Sequence, residues 1–106
     1  MNKDRIFENM KQFMKQEDIS RVRIYESESG DIRVKVDVHG FDKRGTKAFV
    51  GNIIALIRRP FKMNVIHGYN RGTVLKDFIN GEYINKRITG RRVLPDNPGV
   101  TVLSIN

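Results

Sequence analysis

From Asp31 to Val38 the chain alternates without a break: Ile32, Val34, Val36 and Val38 fall on one side, Arg33, Lys35 and Asp37 on the other. A period of two with apolar β-branched residues in phase is the pattern of a strand with one buried face, and a slip of one residue would turn every valine to water. Beyond residue 42 the period changes. Between Lys43 and Arg59, Phe49, Val50, Ile53, Ile54 and Ile57 form a broad apolar stripe at helical spacing, and Pro60 ends it. Phe61 to Ile66 again reads as a strand. Strand, helix, strand in this order predicts parallel pairing through a right-handed crossover.

The flanks extend this unit. Ile19 to Glu26 alternates Val22 and Ile24 against Arg21, Arg23 and Tyr25, and Ser27 to Gly30 is turn-forming, so a hairpin with the next strand is expected. Thr73 to about Lys86 reads as a helix with Val74, Leu75, Phe78 and Ile79 inward, weakened or bent at Asn80-Gly81. Two last strands, Ile88 to Leu94 and Val100 to Ile105, flank the turn Pro95 to Gly99. Ahead of all this, Ile6, Met10, Phe13 and Met14 lie on one face of a helix over residues 3 to 16. The expected fold is α/β: a two-layer sandwich with a β-α-β-α-β-β core, both helices on one sheet face, plus an N-terminal helix and an extra N-terminal strand. Residues 1–18 form the amphipathic leader and residues 19–106 the α/β domain.

A chain of 106 residues suits one core of ordinary size. With no cysteine there is no disulfide frame, thiolate zinc site or thiol nucleophile, which suits a reducing compartment. No stretch approaches the roughly 18 apolar residues of a membrane span, and the charged N-terminus is unlike a secretory signal, so no membrane association and a cytoplasmic location are expected. Net charge is +8, unevenly spread: residues 1 to 31 hold six Lys/Arg against seven Asp/Glu, residues 32 to 106 hold 14 against five, or +9. A basic domain of this kind attracts polyanions, and nucleic acid is the leading partner class, DNA or RNA. The doublets Arg58-Arg59, Lys86-Arg87 and Arg91-Arg92 read as solvated surface charge, or together as a surface that tracks a phosphate backbone. There is no P-loop, no Rossmann fingerprint and no pair of carboxylates placed for glycoside chemistry.

Both histidines of the chain are followed at once by glycine, His39-Gly40 after the first core strand and His67-Gly68 after the second. Each pair therefore closes a strand at its C-terminal end, where open α/β sheets place ligand chemistry. Val36-Asp37-Val38-His39-Gly40, a helix, Val65-Ile66-His67-Gly68, then Gly72 before Val74-Leu75-Lys76 and a last strand Gly99-Val100-Thr101-Val102 resemble the small MutS-related (Smr) domain family. Its hallmarks are a Leu-Asp-Leu-His-Gly motif and a later His-Gly-x-Gly motif, and the resemblance covers roughly residues 31 to 106. It implies a two-layer α/β sandwich like the C-terminal domain of translation initiation factor three, nucleic-acid binding, and for several members DNA nicking or RNA cleavage. Valine replaces leucine in the first motif, and Asn70 stands at the second glycine of the second motif. Asparagine is the non-glycine residue that best tolerates a left-handed backbone.

Residue chemistry gives each position a role. The loop Gly68, Tyr69, Asn70, Arg71, Gly72 enters a helix at Thr73, where backbone N–H groups form a phosphate cradle, with Arg71 and Lys76 adding charge, Thr73 capping and Tyr69 stacking on a base. The plain alternative is a strand-to-helix turn. Asp37 and His39, at i and i+2 on one strand face, suit a carboxylate that orients an imidazole, or a pair that holds a metal. His39 and His67 would then share proton transfer, making Asp37, His39 and His67 the catalytic candidates. The plain alternatives are that Asp37 and His39 only hydrogen-bond in the loop layer and that His67 orders the loop with Asn64 or Asn70 as amide partner. No metal site is assigned, and Mg²⁺ or Mn²⁺ is left open as a cofactor. Two other readings stand beside the nuclease: a non-catalytic nucleic-acid or ribosome-associated binding module, and an interaction protein that recruits a partner, or a second copy, through the leader helix.

Overall fold

The computed structural model describes residues 1–68 and 73–106. Within them the elements run α1 (Lys3–Phe13), α2 (Gln16–Ile19), β1 (Val22–Glu26), β2 (Ile32–Asp37), α3 (Lys43–Leu56), β3 (Phe61–Ile66), α4 (Val74–Asp77), a π-helical turn (Phe78–Glu82), β4 (Ile88–Leu94) and β5 (Asn97–Ile105). The strands form one mixed sheet in the order β1-β2-β3-β5-β4. β2 and β3 pair in parallel, and β1–β2, β3–β5 and β4–β5 pair antiparallel. This is a compact α/β fold.

The alternation in β2 sets the sheet's sides. Val34 and Val36 stand opposite Met63 and Val65 of β3, and all four are fully buried. They belong to one apolar cluster with Phe49, Val50, Ile53 and Ile54 of α3 and with Phe78 and Ile79. Arg33, Lys35 and Lys62, out of phase, are exposed. Asp42 starts α3 by accepting the Gly45 N–H at 2.7 Å, which satisfies one donor that the first helical turn leaves unpaired.

The leader stripe divides. Ile6 and Met10 are fully buried in the common cluster, Met14 is half-buried against it, and Phe13 is 72 % exposed. Asn2 caps α1 by accepting the Arg5 N–H.

Three local expectations differ from the structure. The helix foreseen from Thr73 to Lys86 ends at Glu82, and its last turn is π-helical, with the Tyr83 N–H donating to the Phe78 carbonyl. Asn80 provides the reason, because its side-chain amide donates to the Lys76 carbonyl at 2.8 Å and so competes for an acceptor of the regular ladder. Val74, expected inward, is 57 % exposed, while Tyr83 is buried and stacks on Phe78 with ring centroids 5.6 Å apart. The last turn is shorter than foreseen, since β5 begins at Asn97 and leaves only Pro95 and Asp96 between the strands.

The arginine doublets are also not simply solvated. Arg59 donates to the carbonyls of Met1 and Gly30, Arg87 to those of Ile54, Arg59 and Asn106, and Arg91 to those of Ile79 and Tyr83. A planar guanidinium with five donors can hold two or three carbonyls at once, so one member of each doublet ties loops to the core while its neighbour stays exposed.

Because Met10 is enclosed and Phe13 is not, Met10→Ala should lower unfolding free energy by about 2–5 kcal/mol and Phe13→Ala by no more than about 0.5 kcal/mol. Equilibrium urea unfolding measures both. Equal, small effects would show that α1 does not share the core.

Candidate functional site

The parallel register carries on past the strand ends. Asp37 stands opposite Ile66, and the Val38 N–H donates to the Ile66 carbonyl at 2.9 Å, so the two His-Gly pairs leave the sheet side by side. Gly40 and Gly68 both have positive φ, +83° and +71°. Side chains rarely adopt that conformation, which explains why each histidine is followed by glycine. The two turns are adjacent: a methyl placed on Gly68 would meet the His39 Cβ in ordinary van der Waals contact at 3.8 Å, so it is the backbone conformation rather than space that calls for glycine.

The structure gives the two imidazoles opposite surroundings. The His39 side chain is 68 % exposed, and its Nδ1 is hydrogen-bonded to Asp37 Oδ1. The same carboxylate oxygen accepts the His39 backbone N–H at 3.1 Å, so ring and main chain are fixed by one partner. A carboxylate can only accept. Nδ1 therefore carries a proton, and in the neutral ring Nε2 presents its lone pair to solvent.

His67 is only 5 % exposed. Its Nδ1 lies 2.9 Å from the Gly68 carbonyl and its Nε2 2.8 Å from Thr101 Oγ1. The carbonyl requires Nδ1–H, so Nε2 accepts the Thr101 hydroxyl proton, and Thr101 in turn accepts the Asn80 amide at 2.8 Å. This chain of bonds is complete with a neutral ring. Burial pushes the His67 pKa below its ordinary 6.5, the Gly68 carbonyl opposes that shift, and the positive charge of Lys76 adds to it. Of the three catalytic candidates, then, Asp37 and His39 are paired and reachable, while His67 is enclosed and joined to Thr101 and Asn80.

The phosphate-cradle residues Tyr69, Asn70, Arg71 and Gly72 lie outside the described residues. Thr73 does not cap a backbone N–H of α4; its hydroxyl donates to Asp77 Oδ2 at 2.8 Å. Lys76 is half-buried in α4 near His67. Among the described residues no three of His, Asp and Glu gather where a metal ion could be held.

Arg21 is the site residue that the sequence reading missed. It donates to the Asp37 carbonyl at 3.0 Å and the His39 carbonyl at 3.3 Å, while its guanidinium lies 4.3 Å from the centre of the Phe41 ring. It thereby braces the corner that presents His39. No local signal marks it, because an arginine before a strand is ordinary and its partners are 16 and 18 residues away.

No family model, curated protein or solved structure matches the chain. No helix among the described residues is long and apolar enough to cross a membrane.

The His67 environment has a pH signature. Above about 6.5 the ring is neutral in both folded and unfolded chains, and its contribution to stability is fully present. As pH falls through that value toward the lower folded pKa, the unfolded chain takes up a proton that the folded one refuses. Stability should fall by up to about 1.4 kcal/mol per pH unit in that window. Urea midpoints at pH 7 and pH 5 should show this loss in the wild type, and His67→Asn should reduce it. An unchanged slope in the variant would mean that His67 titrates as freely when folded as when unfolded.

Proposed function

We propose that this chain is an Smr-like nucleic-acid-binding domain that cleaves RNA with His39 as general base and Asp37 as the residue that orients it. The observation that carries this reading is the exposed imidazole whose Nδ1 is held by Asp37, leaving Nε2 to accept a proton at a strand end beside Gly68. The balanced step is a transesterification. His39 Nε2 takes the proton of a ribose 2′-OH, the 2′-oxygen bonds to the adjacent phosphorus, and the bond from phosphorus to the 5′-oxygen breaks, with water protonating the leaving oxygen. Asp37 stabilises the imidazolium that forms. Residues 68–72, with the charge of Arg71, and Lys76 are the proposed phosphate contacts, and the +9 charge of residues 32 to 106 supports attraction of the polyanion.

The enclosure of His67 favours a second reading, a binder without chemistry, because it leaves Asp37–His39 without the other imidazole for proton transfer. The two-layer arrangement, with helices on one sheet face, is supported by the single apolar cluster that joins α1, α3 and the π turn to one side of the strands. A cytoplasmic setting is supported by the absence of cysteine.

Pure protein incubated with labelled single-stranded RNA, with and without Mg²⁺ or Mn²⁺, should yield 2′,3′-cyclic phosphate ends. His39→Ala should abolish cleavage and leave binding within about threefold, since a general base acts on the transition state more than on ground-state affinity. Asp37→Asn should slow turnover by about 10²-fold or more. Cleavage at the wild-type rate by His39→Ala protein would sink the catalytic assignment, and binding without cleavage by the wild type would leave the second reading.

A further inference from the structure

The face of the sheet turned away from the apolar cluster carries Arg23 of β1, Arg33 and Lys35 of β2, Lys62 of β3 and Arg92 of β4, all exposed. Register places them together: Arg23 opposite Lys35, and Arg33 opposite Lys62. Like charges directly across a strand pair oppose folding, and none of these five cations has a carboxylate partner among the ion pairs of the described residues. Arg33 bonds instead to the neutral Asn64 at 2.7 Å, and Lys35 lies 5.3 Å from the centre of the Tyr25 ring. The only acid on this face of the strands is Asp37, which is engaged with His39.

The row Tyr25, Arg33, Lys62, Ser104 also lines a groove of about 630 Å³. Glu26 and Asp31 line it too, at the end away from His39, accepting from the Lys3 N–H and the Ser29 hydroxyl and keeping their negative charge. Tyr25 is 47 % exposed and is the aromatic ring of this face.

We propose that this face docks single-stranded RNA, with the phosphates on Arg23, Arg33, Lys35, Lys62 and Arg92 and a base stacked on Tyr25. The inference rests on reading the chain as a nucleic-acid binder and assigns a second binding surface, beyond residues 68–72 and Lys76. Charge complementarity selects a polyanion. A five-stranded face is too broad for the major groove of a duplex, which admits a helix or a two-stranded ribbon, whereas single strands lie on sheet platforms and stack their bases on aromatic rings. An acidic membrane surface fits less well, because the apolar members of the face do not protrude: Val100 and Val102 are only 7 % and 5 % exposed. Direction follows from the strand. Asp37 lies four residues beyond Arg33 on the same side of β2, about 13 Å along it, so RNA laid along β2 over Arg33 and Lys35 leads to His39.

The test is fluorescence anisotropy with a labelled single-stranded RNA of about 15 nucleotides, titrated at several salt concentrations. Arg33→Gln with Lys62→Gln should weaken binding at least about tenfold and reduce the slope of log affinity against log salt by about 1.4. Tyr25→Ala should cost about five- to a hundredfold, and Tyr25→Phe should restore most of it. Arg44→Gln with Lys47→Gln, exposed on α3, removes the same charge elsewhere and should change affinity less than threefold. Melting curves confirm that each variant folds, as expected for exposed positions. The proposal is overturned if the sheet-face and α3 pairs weaken binding equally, if Tyr25→Ala binds like the wild type, or if vesicles rich in phosphatidylserine bind more tightly than RNA and are lost with the same sheet-face pair. Cleavage is scored separately. Loss of RNA affinity in the sheet-face variants with no cleavage by the wild type refutes only the chemistry, and cleavage lost in His39→Ala with unaltered affinity in the sheet-face variants refutes only this surface.

Discussion

The parallel pairing of β2 with β3 is the constraint from which the rest of the molecule follows. It buries Val34, Val36, Met63 and Val65 completely, and each such side chain contributes roughly 1.5–3 kcal/mol relative to exposure. A slip of one residue would exchange the β2 valines for Arg33 and Lys35, an exchange that no hydrogen-bond rearrangement could offset. The register that protects the core also determines which residues leave the sheet together. The bond from Val38 to Ile66 extends the pairing by one step, and His39 and His67 emerge as neighbours because of it. Site geometry here is a by-product of apolar packing.

From those neighbouring exits the two histidines acquire different chemistry through burial and partner type. His39 meets a carboxylate and keeps its outer nitrogen in solvent. His67 meets a backbone carbonyl and a hydroxyl that is already accepting from Asn80. Protonating His67 would place a positive charge where burial and Lys76 both disfavour it, and would turn the acceptor at Nε2 into a donor, leaving the Thr101 hydroxyl proton without its partner. Such a ring is suited to joining β3, β5 and the π turn. Identical dipeptides therefore say where an imidazole leaves a strand, and the tertiary surroundings decide what it does.

Much of this fold can be read from periodicity because its central elements obey one rule each. In β2 every second residue is buried, and in α3 Phe49, Val50, Ile53 and Ile54 form the stripe that faces the core. In the region from Thr73 to Lys86 the sequence marks the weak point, Asn80-Gly81, but not the π turn there, whose shape involves the Asn80 side chain competing for the Lys76 carbonyl. Tyr83 joins the core only because that turn is π-helical. The arginines are opaque for a related reason. Arg58-Arg59 and Arg91-Arg92 look like uniform charge, yet Arg59 and Arg91 hold carbonyls from segments up to 58 residues away. At the candidate site the Asp37–His39 pair was legible from i, i+2 spacing on one strand face. The brace supplied by Arg21 and the closed surroundings of His67 depend on contacts that local spacing does not encode.

Magnitudes explain how the sheet tolerates a strongly basic open face. A cross-strand pair of like charges costs on the order of 0.2–1 kcal/mol, against roughly 1.5–3 kcal/mol for each aliphatic residue buried behind it. Repulsion between Arg23 and Lys35, or between Arg33 and Lys62, is thus small beside what the opposite face of the same strands contributes. It is still a loss that one glutamate at position 35 or 62 would have reversed. Of the chain's 12 acids, Asp37 is the one within the strands on this face, where it holds His39, and Glu26 and Asp31 stand at the far end of its groove. Stability alone does not account for that distribution. The polyanion partner proposed above would account for it, because the arrangement that repels itself in the free protein is the one that phosphates would relieve.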